Sequence, residues 1–199
     1  MQPAKTPVQI IRDSISVFEL AWFIGDSVRE GRITPTSFKE KLWLHGGTWS
    51  VDLGKTYTPE ELTAEAAHLI LIALGSTAIS LNKALEVVYG KKVDAADTSA
   101  EGSARVLIYQ IRCAFAHDPL NPVWTPEPKK YNYQYRVTLQ VDRQNGEPVI
   151  QNIRFHPPSL KGTPLSTDHI GGLEGYLGLL HYYLAKVKAH PKGNQPYSP

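Results

Sequence analysis

The sequence predicts a mainly α-helical bundle of four to five helices, with one β-hairpin inserted ahead of the last helix. Three observations carry this. Three times a Thr stands three residues before Gln or Glu and opens a run of apolar residues at helical spacing: Thr6-Pro-Val-Gln9, Thr58-Pro-Glu-Glu61 and Thr98-Ser-Ala-Glu101. A sustained period of two occurs late in the chain, between about residues 131 and 157. Strands do not alternate with helices, which argues against a parallel-sheet nucleotide-binding fold. At 199 residues the chain suits a single domain over 1–190, with a polar, proline-rich tail over 191–199 expected to be disordered.

The first helix begins at the Thr6 cap with Pro7 at its first position, buries Val8, Ile11, Ile15, Phe18 and Trp22, and stops at Gly31. Residues 34–44 suit a short second helix, broken by His45-Gly46-Gly47, and Thr48–Leu53 alternates as a short strand or extended connector. His45 is more simply an exposed loop residue than a ligand. The helix from Thr58 runs to about Gly90. It carries no formal charge from Ala66 to Leu81, about 16 residues against the ~20 that span a bilayer. It reads as a central helix covered on several sides, with His68 a hydrogen-bonded core residue. The next helix, capped by Thr98, places Ala104, Leu107, Ile108, Ile111, Ala114 and Phe115 on one face and ends where Pro119 disfavours helical geometry at Asp118.

Asn121–Pro128 is an extended connector that Trp124 anchors to the core. In the hairpin, a three-residue loop Gln144-Asn-Gly146 pairs Val141 with Val149, Val137 with Ile153 and Tyr135 with Phe155. A two-residue turn would instead set apolar residues against Asn152 and Arg154. The aromatic face of the hairpin is expected to pack on the helices, stacking of RNA bases being the less favoured use. Residues 157–167 are a loop. The last helix starts near Thr167 or Asp168 and reaches about Lys188, with Gly171, Gly172, Gly175 and Gly178 marking a side suited to close approach by another backbone or a second copy.

Composition narrows the function. A net charge of +2 and a pI near 8.5 give no basic footprint for nonspecific coating of nucleic acid. One cysteine, Cys113, excludes an internal disulfide, and the start of the chain resembles an amphipathic segment rather than a signal peptide, so a cytoplasmic protein with no membrane span is expected. No metal-ligand array, Gly-x-Ser-x-Gly elbow or phosphate loop occurs, and no cofactor is expected.

The remaining constellation is Tyr109-Gln-Ile-Arg-Cys-Ala-Phe-Ala-His117-Asp-Pro. His117 falls in the last turn, beside the unpaired carbonyls of the helix end. Arg112 lies five residues earlier, roughly 140° round an ideal helix, so the two side chains can border one groove without touching. A permanent cation next to an imidazole suits an anionic substrate and proton transfer, as at a phosphodiester. Cys113 and Asp118 are candidate supporting residues. Arg105, seven residues before Arg112, points the same way and is a third.

At these residues the chain resembles the HEPN family, helical proteins that include many RNA-cleaving toxins and antiviral effectors. The match is the Arg-x4-His motif, Arg112 to His117, and more loosely the long helix before it, less than half the chain. The resemblance implies a bundle that pairs through a two-fold interface, a homodimer whose composite cleft holds both copies of Arg112 and His117. It also implies metal-independent cleavage of an RNA substrate by 2′-hydroxyl attack, with His117 as general acid or base, Arg112 on the phosphate, and a protein antitoxin or regulator as a candidate partner. Two positions depart from it. Cys113 stands where the family often has Asn, Asp or His. Pro119 stands where toxins with nucleotidyltransferase antitoxins have a tyrosine, so regulation through that tyrosine is not expected. The rival reading is a catalytically inactive HEPN-like module that binds or scaffolds RNA or protein.

Overall fold

The computed structural model describes residues 4–38, 42–44, 49–51, 56–142 and 148–196. In chain order the elements are α1 (Pro7–Arg29), β1 (Leu42–Leu44), β2 (Trp49–Val51), α2 (Pro59–Tyr89), α3 (Ala100–His117), β3 (Tyr135–Asp142), β4 (Pro148–Phe155), the single turn α4 (Pro157–Leu160) and α5 (Gly172–Ala189). The chain is mainly helical with a hairpin before the last helix, as the periodicities predict. His45 and the hairpin loop Gln144–Gly146 lie outside the described residues.

Local chemistry sets the helix ends. Thr6 and Thr58 each form both bonds of a capping box: the Gln9 amide donates to the Thr6 hydroxyl at 3.2 Å, the Glu61 amide to Thr58 at 3.2 Å, and Gln9 and Glu61 accept from the cap amides. At α3 the cap moves on by one residue. Ser99, not Thr98, accepts from the Gly102 amide at 3.1 Å, because Asp97 Oδ1 takes the Ser99 amide and closes the turn ahead of it. Glu101 is thereby released from a capping box and pairs with Lys186 of α5 at 3.2 Å.

α2 packs against α1, α3 and α5, and the β3–β4 hairpin lies across α3 and α5. Tyr135, Val137, Leu139, Ile153 and Phe155 are all buried under the hairpin, so its aromatic face is core. The register is Val141 opposite Val149, Val137 opposite Ile153 and Tyr135 opposite Phe155, as predicted from the side-chain pattern. A polar link crosses the centre: the buried Tyr176 hydroxyl of α5 meets Thr77 Oγ1 of α2 at 2.9 Å and donates to the Leu74 carbonyl at 3.2 Å. Trp124 is buried, donates from Nε1 to His169 Nδ1 at 3.0 Å, and anchors the connector as expected.

Several expectations are corrected. Residues 34–44 do not form a helix: Pro35–Phe38 is one 3-10 turn, and Leu42–Leu44 pairs antiparallel with Trp49–Val51, strand pairing across the glycine break outweighing a weak helical pattern. α2 is covered by α1, α3 and α5, as expected, but not on every side. Leu69, Ile72 and Ile79 are exposed, and His68 is a surface residue 3.4 Å from Glu65 rather than a core histidine. By length and composition α2 could cross a membrane; in this fold one side is core for its neighbours and the other is open. Residues 157–167 are not all loop, since Pro157–Leu160 makes a helical turn. The last helix begins later than predicted. Thr167–Ile170 is a 3-10 turn, and Gly171 and Gly172 break from it with φ of 79° and 77°, where L side chains are strained. The Gly171 carbonyl accepts from Gln151 of β4, so these glycines serve a contact within the chain. The tail is ordered at its start: the buried Gly193 presents its carbonyl to the Val8 amide of α1 at 3.1 Å, which satisfies a first-turn N–H.

Candidate functional site

The site grows from the way α3 meets α2. A Cβ on Gly75 would lie 2.6 Å from Phe115 Cγ, so the absence of a side chain at Gly75 is what admits the Phe115 ring. With Ile108, Ile111 and Ala114 also buried, this seats the last turns of α3 beside the middle of α2. Arg112, Cys113 and Tyr109 fall partly outside the buried face, and Ala116 and His117 are exposed.

Arg112 is half-buried and, among the described residues, makes one polar contact, from Nη1 to Cys113 Sγ at 3.9 Å, a length at which a thiol holds it weakly. Among the described residues no carboxylate pairs with its guanidinium, and no hydrogen bond reaches the His117 ring. The pair therefore presents an uncompensated cation and an accessible imidazole. Among the described residues His117 has no hydrogen-bond partner to orient it.

The three candidate supporting residues separate. Cys113 does lie against Arg112, and its thiol also meets Tyr109. Asp118 turns away to its own backbone: Oδ1 accepts the Leu120 and Asn121 amides, each at 3.0 Å, and those bonds hold its carboxyl below the usual range. It shapes the chain after the helix and pairs with neither Arg112 nor His117. Arg105 is elsewhere altogether. It is buried, donates from Nη2 to the Gly90 carbonyl at 2.7 Å, and stands 5.9 Å from the centre of the Tyr89 ring, closing the end of α2. Burial pulls its guanidinium below the ordinary value, with Tyr183, Glu86 and Tyr89 opposing. Sharing a helical direction with Arg112 does not give it the same surroundings, because α2 ends over one and not over the other.

Sequence reasoning missed the aromatic and basic neighbours. The Tyr109 and Tyr131 rings are tilted with centroids 6.0 Å apart, and Lys130 Nζ stands 5.0 Å from the Tyr131 centroid. Burial raises both tyrosine hydroxyls to about 12, with the adjoining Cys113 adding to it. The run Lys129-Lys-Tyr-Asn-Tyr133 was visible in the chain; its placement against α3 is tertiary. Two concavities, one lined by Lys5, Asp13, Ser76 and Lys83 and the other by Tyr89, Asp94, Glu101 and Arg105, do not include Arg112 or His117. Among the described residues no group of three or more His, Cys, Asp or Glu side chains could hold a metal ion. No family model, curated protein or solved structure matches this chain.

Proposed function

We propose that the chain is a HEPN-like endoribonuclease that cleaves RNA without metal, acting as a toxin or antiviral defence effector in the cytoplasm. One observation carries the reading: at the end of α3, Arg112 is free of any carboxylate among the described residues while His117, on the same turn-and-a-half, is open to solvent. An arginine kept for structure is ordinarily neutralised or bonded to carbonyls, as Arg105 is. An unneutralised guanidinium and an open imidazole within a turn and a half of one helix are groups that phosphate binding and proton transfer use.

In the reaction the ribose 2′-oxygen attacks the adjacent phosphorus and the 5′-oxygen of the next nucleotide leaves. The 2′-hydroxyl proton goes to a base, and the leaving oxygen takes a proton from an acid. His117 fills one of these roles. A second copy related by a two-fold axis brings its own His117 for the other, and the paired arginines neutralise the charge that builds on the phosphoryl oxygens. The open surface round His117 accords with a cleft completed by a partner.

Purified protein incubated with RNA in excess chelator tests this. Wild type is expected to cut, and Arg112→Ala and His117→Ala, each folded by circular dichroism, to lose about 10²–10⁴-fold of the rate. Equal cutting by all three would mean a contaminant and would end the proposal. The second reading, an inactive RNA- or protein-binding module, is favoured by one feature: among the described residues no group orients the His117 ring. Tight RNA binding by wild type with no cleavage would select it.

A further inference from the structure

We propose that the surface beside Arg112, made by Tyr109 of α3 together with Lys129, Lys130 and Tyr133 of the connector, holds the nucleotides next to the cleaved phosphate of a single-stranded RNA. The proposal rests on the nuclease reading and deepens it by naming the form of the substrate and the residues that grip it.

The geometry links Arg112, Tyr109, Tyr131 and Lys130, and Lys129 and Tyr133 flank Tyr131 in the chain. Arg112 touches Cys113, and Tyr109, one turn before Cys113, lies 6.0 Å from Tyr131. The Lys130 ammonium is 5.0 Å from the Tyr131 centroid. The turn that carries the lysines is fixed: the Lys130 and Tyr131 amides both donate to the Glu127 carbonyl at 3.0 Å, and Tyr131 is buried. Lys129 and Lys130 are exposed, and among the described residues neither is paired with a carboxylate, Glu127 of the same turn included. Two lysines and Arg112 thus supply three uncompensated cations for successive phosphates.

Aromatic surface accompanies the charge. Tyr133 is 43% exposed, with its ring edge-to-face against Tyr135 at 6.4 Å, so it is braced by the core and open on the other side. A braced, exposed ring three residues from Lys130 is a platform on which an unpaired base stacks, and the bases of a duplex offer no such free face. A purely acidic protein partner would use the lysines and leave the ring idle.

Binding is measured by fluorescence anisotropy with a labelled single-stranded RNA of about 12 nucleotides, in a His117→Ala background that leaves the RNA intact. Lys129→Ala with Lys130→Ala is expected to weaken binding at least about tenfold and to lower the slope of log affinity against log salt by about 1.4, roughly 0.7 for each lost phosphate contact. Tyr133→Ala is expected to weaken it about tenfold for single strands and to leave duplex RNA unaffected. Unchanged affinity in both variants overturns the proposal. So does equal binding of an acidic peptide lost in the same double variant. RNA binding that follows these variants in a chain that never cleaves sinks the nuclease reading and leaves this surface standing. Cleavage that depends on Arg112 and His117 while affinity ignores this surface does the reverse.

Discussion

Arg112 and Arg105 are the same residue type, seven positions apart on one helix, and they have opposite fates. Arg105 is enclosed and spends a guanidinium nitrogen on the Gly90 carbonyl, whereas among the described residues Arg112 keeps only a 3.9 Å contact to a thiol. The chain shows which residues share a helical direction. It does not show that α2 ends over the first of them, so the burial of Arg105 is invisible there, while the end of α3 at His117 is legible from the Asp-Pro stop. Asp118 was legible only in part. Its side chain makes an Asx turn, bonding the Leu120 and Asn121 amides, a habit of aspartate before a proline-marked loop. Because its folded carboxyl titrates below the ordinary aspartate value of about 4, the turn is fully supported above that value and loses the support as pH falls through the depressed folded value. Amide shifts of Leu120 and Asn121 are expected to hold steady from pH 7 down to about 4 and to collapse below it. In Asp118→Ala they should already be collapsed at pH 7, and a wild-type pattern in that variant would show that the turn stands without the carboxylate.

At the scale of elements, the sequence was most informative where a local rule acts alone. Two capping boxes and the hairpin register depend on residues within a few positions of one another or on strict alternation, and those were read correctly. It was least informative where pairing partners decide. Leu42–Leu44 joins a strand pair because Trp49–Val51 is there to receive it, and the Gly171-Gly172 break exists because Gln151 of another element donates to the carbonyl between them. Gly75 belongs to the same class. Nothing in the chain marks it as the seat for Phe115, yet a Cβ there would lie 2.6 and 2.8 Å from ring carbons. Gly75→Ala is therefore expected to destabilise the fold by about 1–3 kcal/mol despite the better helix propensity of alanine. On the proposed function it should also slow RNA cleavage per folded molecule, because a displaced Phe115 ring disturbs the seat of the turn that bears His117. Denaturant titration and single-turnover rates measure the two effects. A variant at least as stable as wild type would show that the α2–α3 contact has slack.

At the scale of the molecule, the class of fold was readable and the surface was not. Helix periodicity, the late change to period two and the lack of β-α alternation sufficed for a helical bundle with an inserted hairpin. The open side of α2, with Leu69, Ile72 and Ile79 exposed, and the gathering of Lys130 and Tyr131 against Tyr109 are products of packing, which no local pattern encodes. The functional reading draws the scales together: a glycine seat in α2 positions the end of α3, and the end of α3 presents a cation and an imidazole to solvent. The chemistry assigned to them leaves a signature on its product. RNA cut in excess chelator should carry 2′,3′-cyclic phosphate and 5′-hydroxyl ends, and the same strand with a 2′-deoxy residue at the cut site should survive. Products with 3′-hydroxyl and 5′-phosphate ends, or cyclic ends made equally well by His117→Ala, would contradict the account.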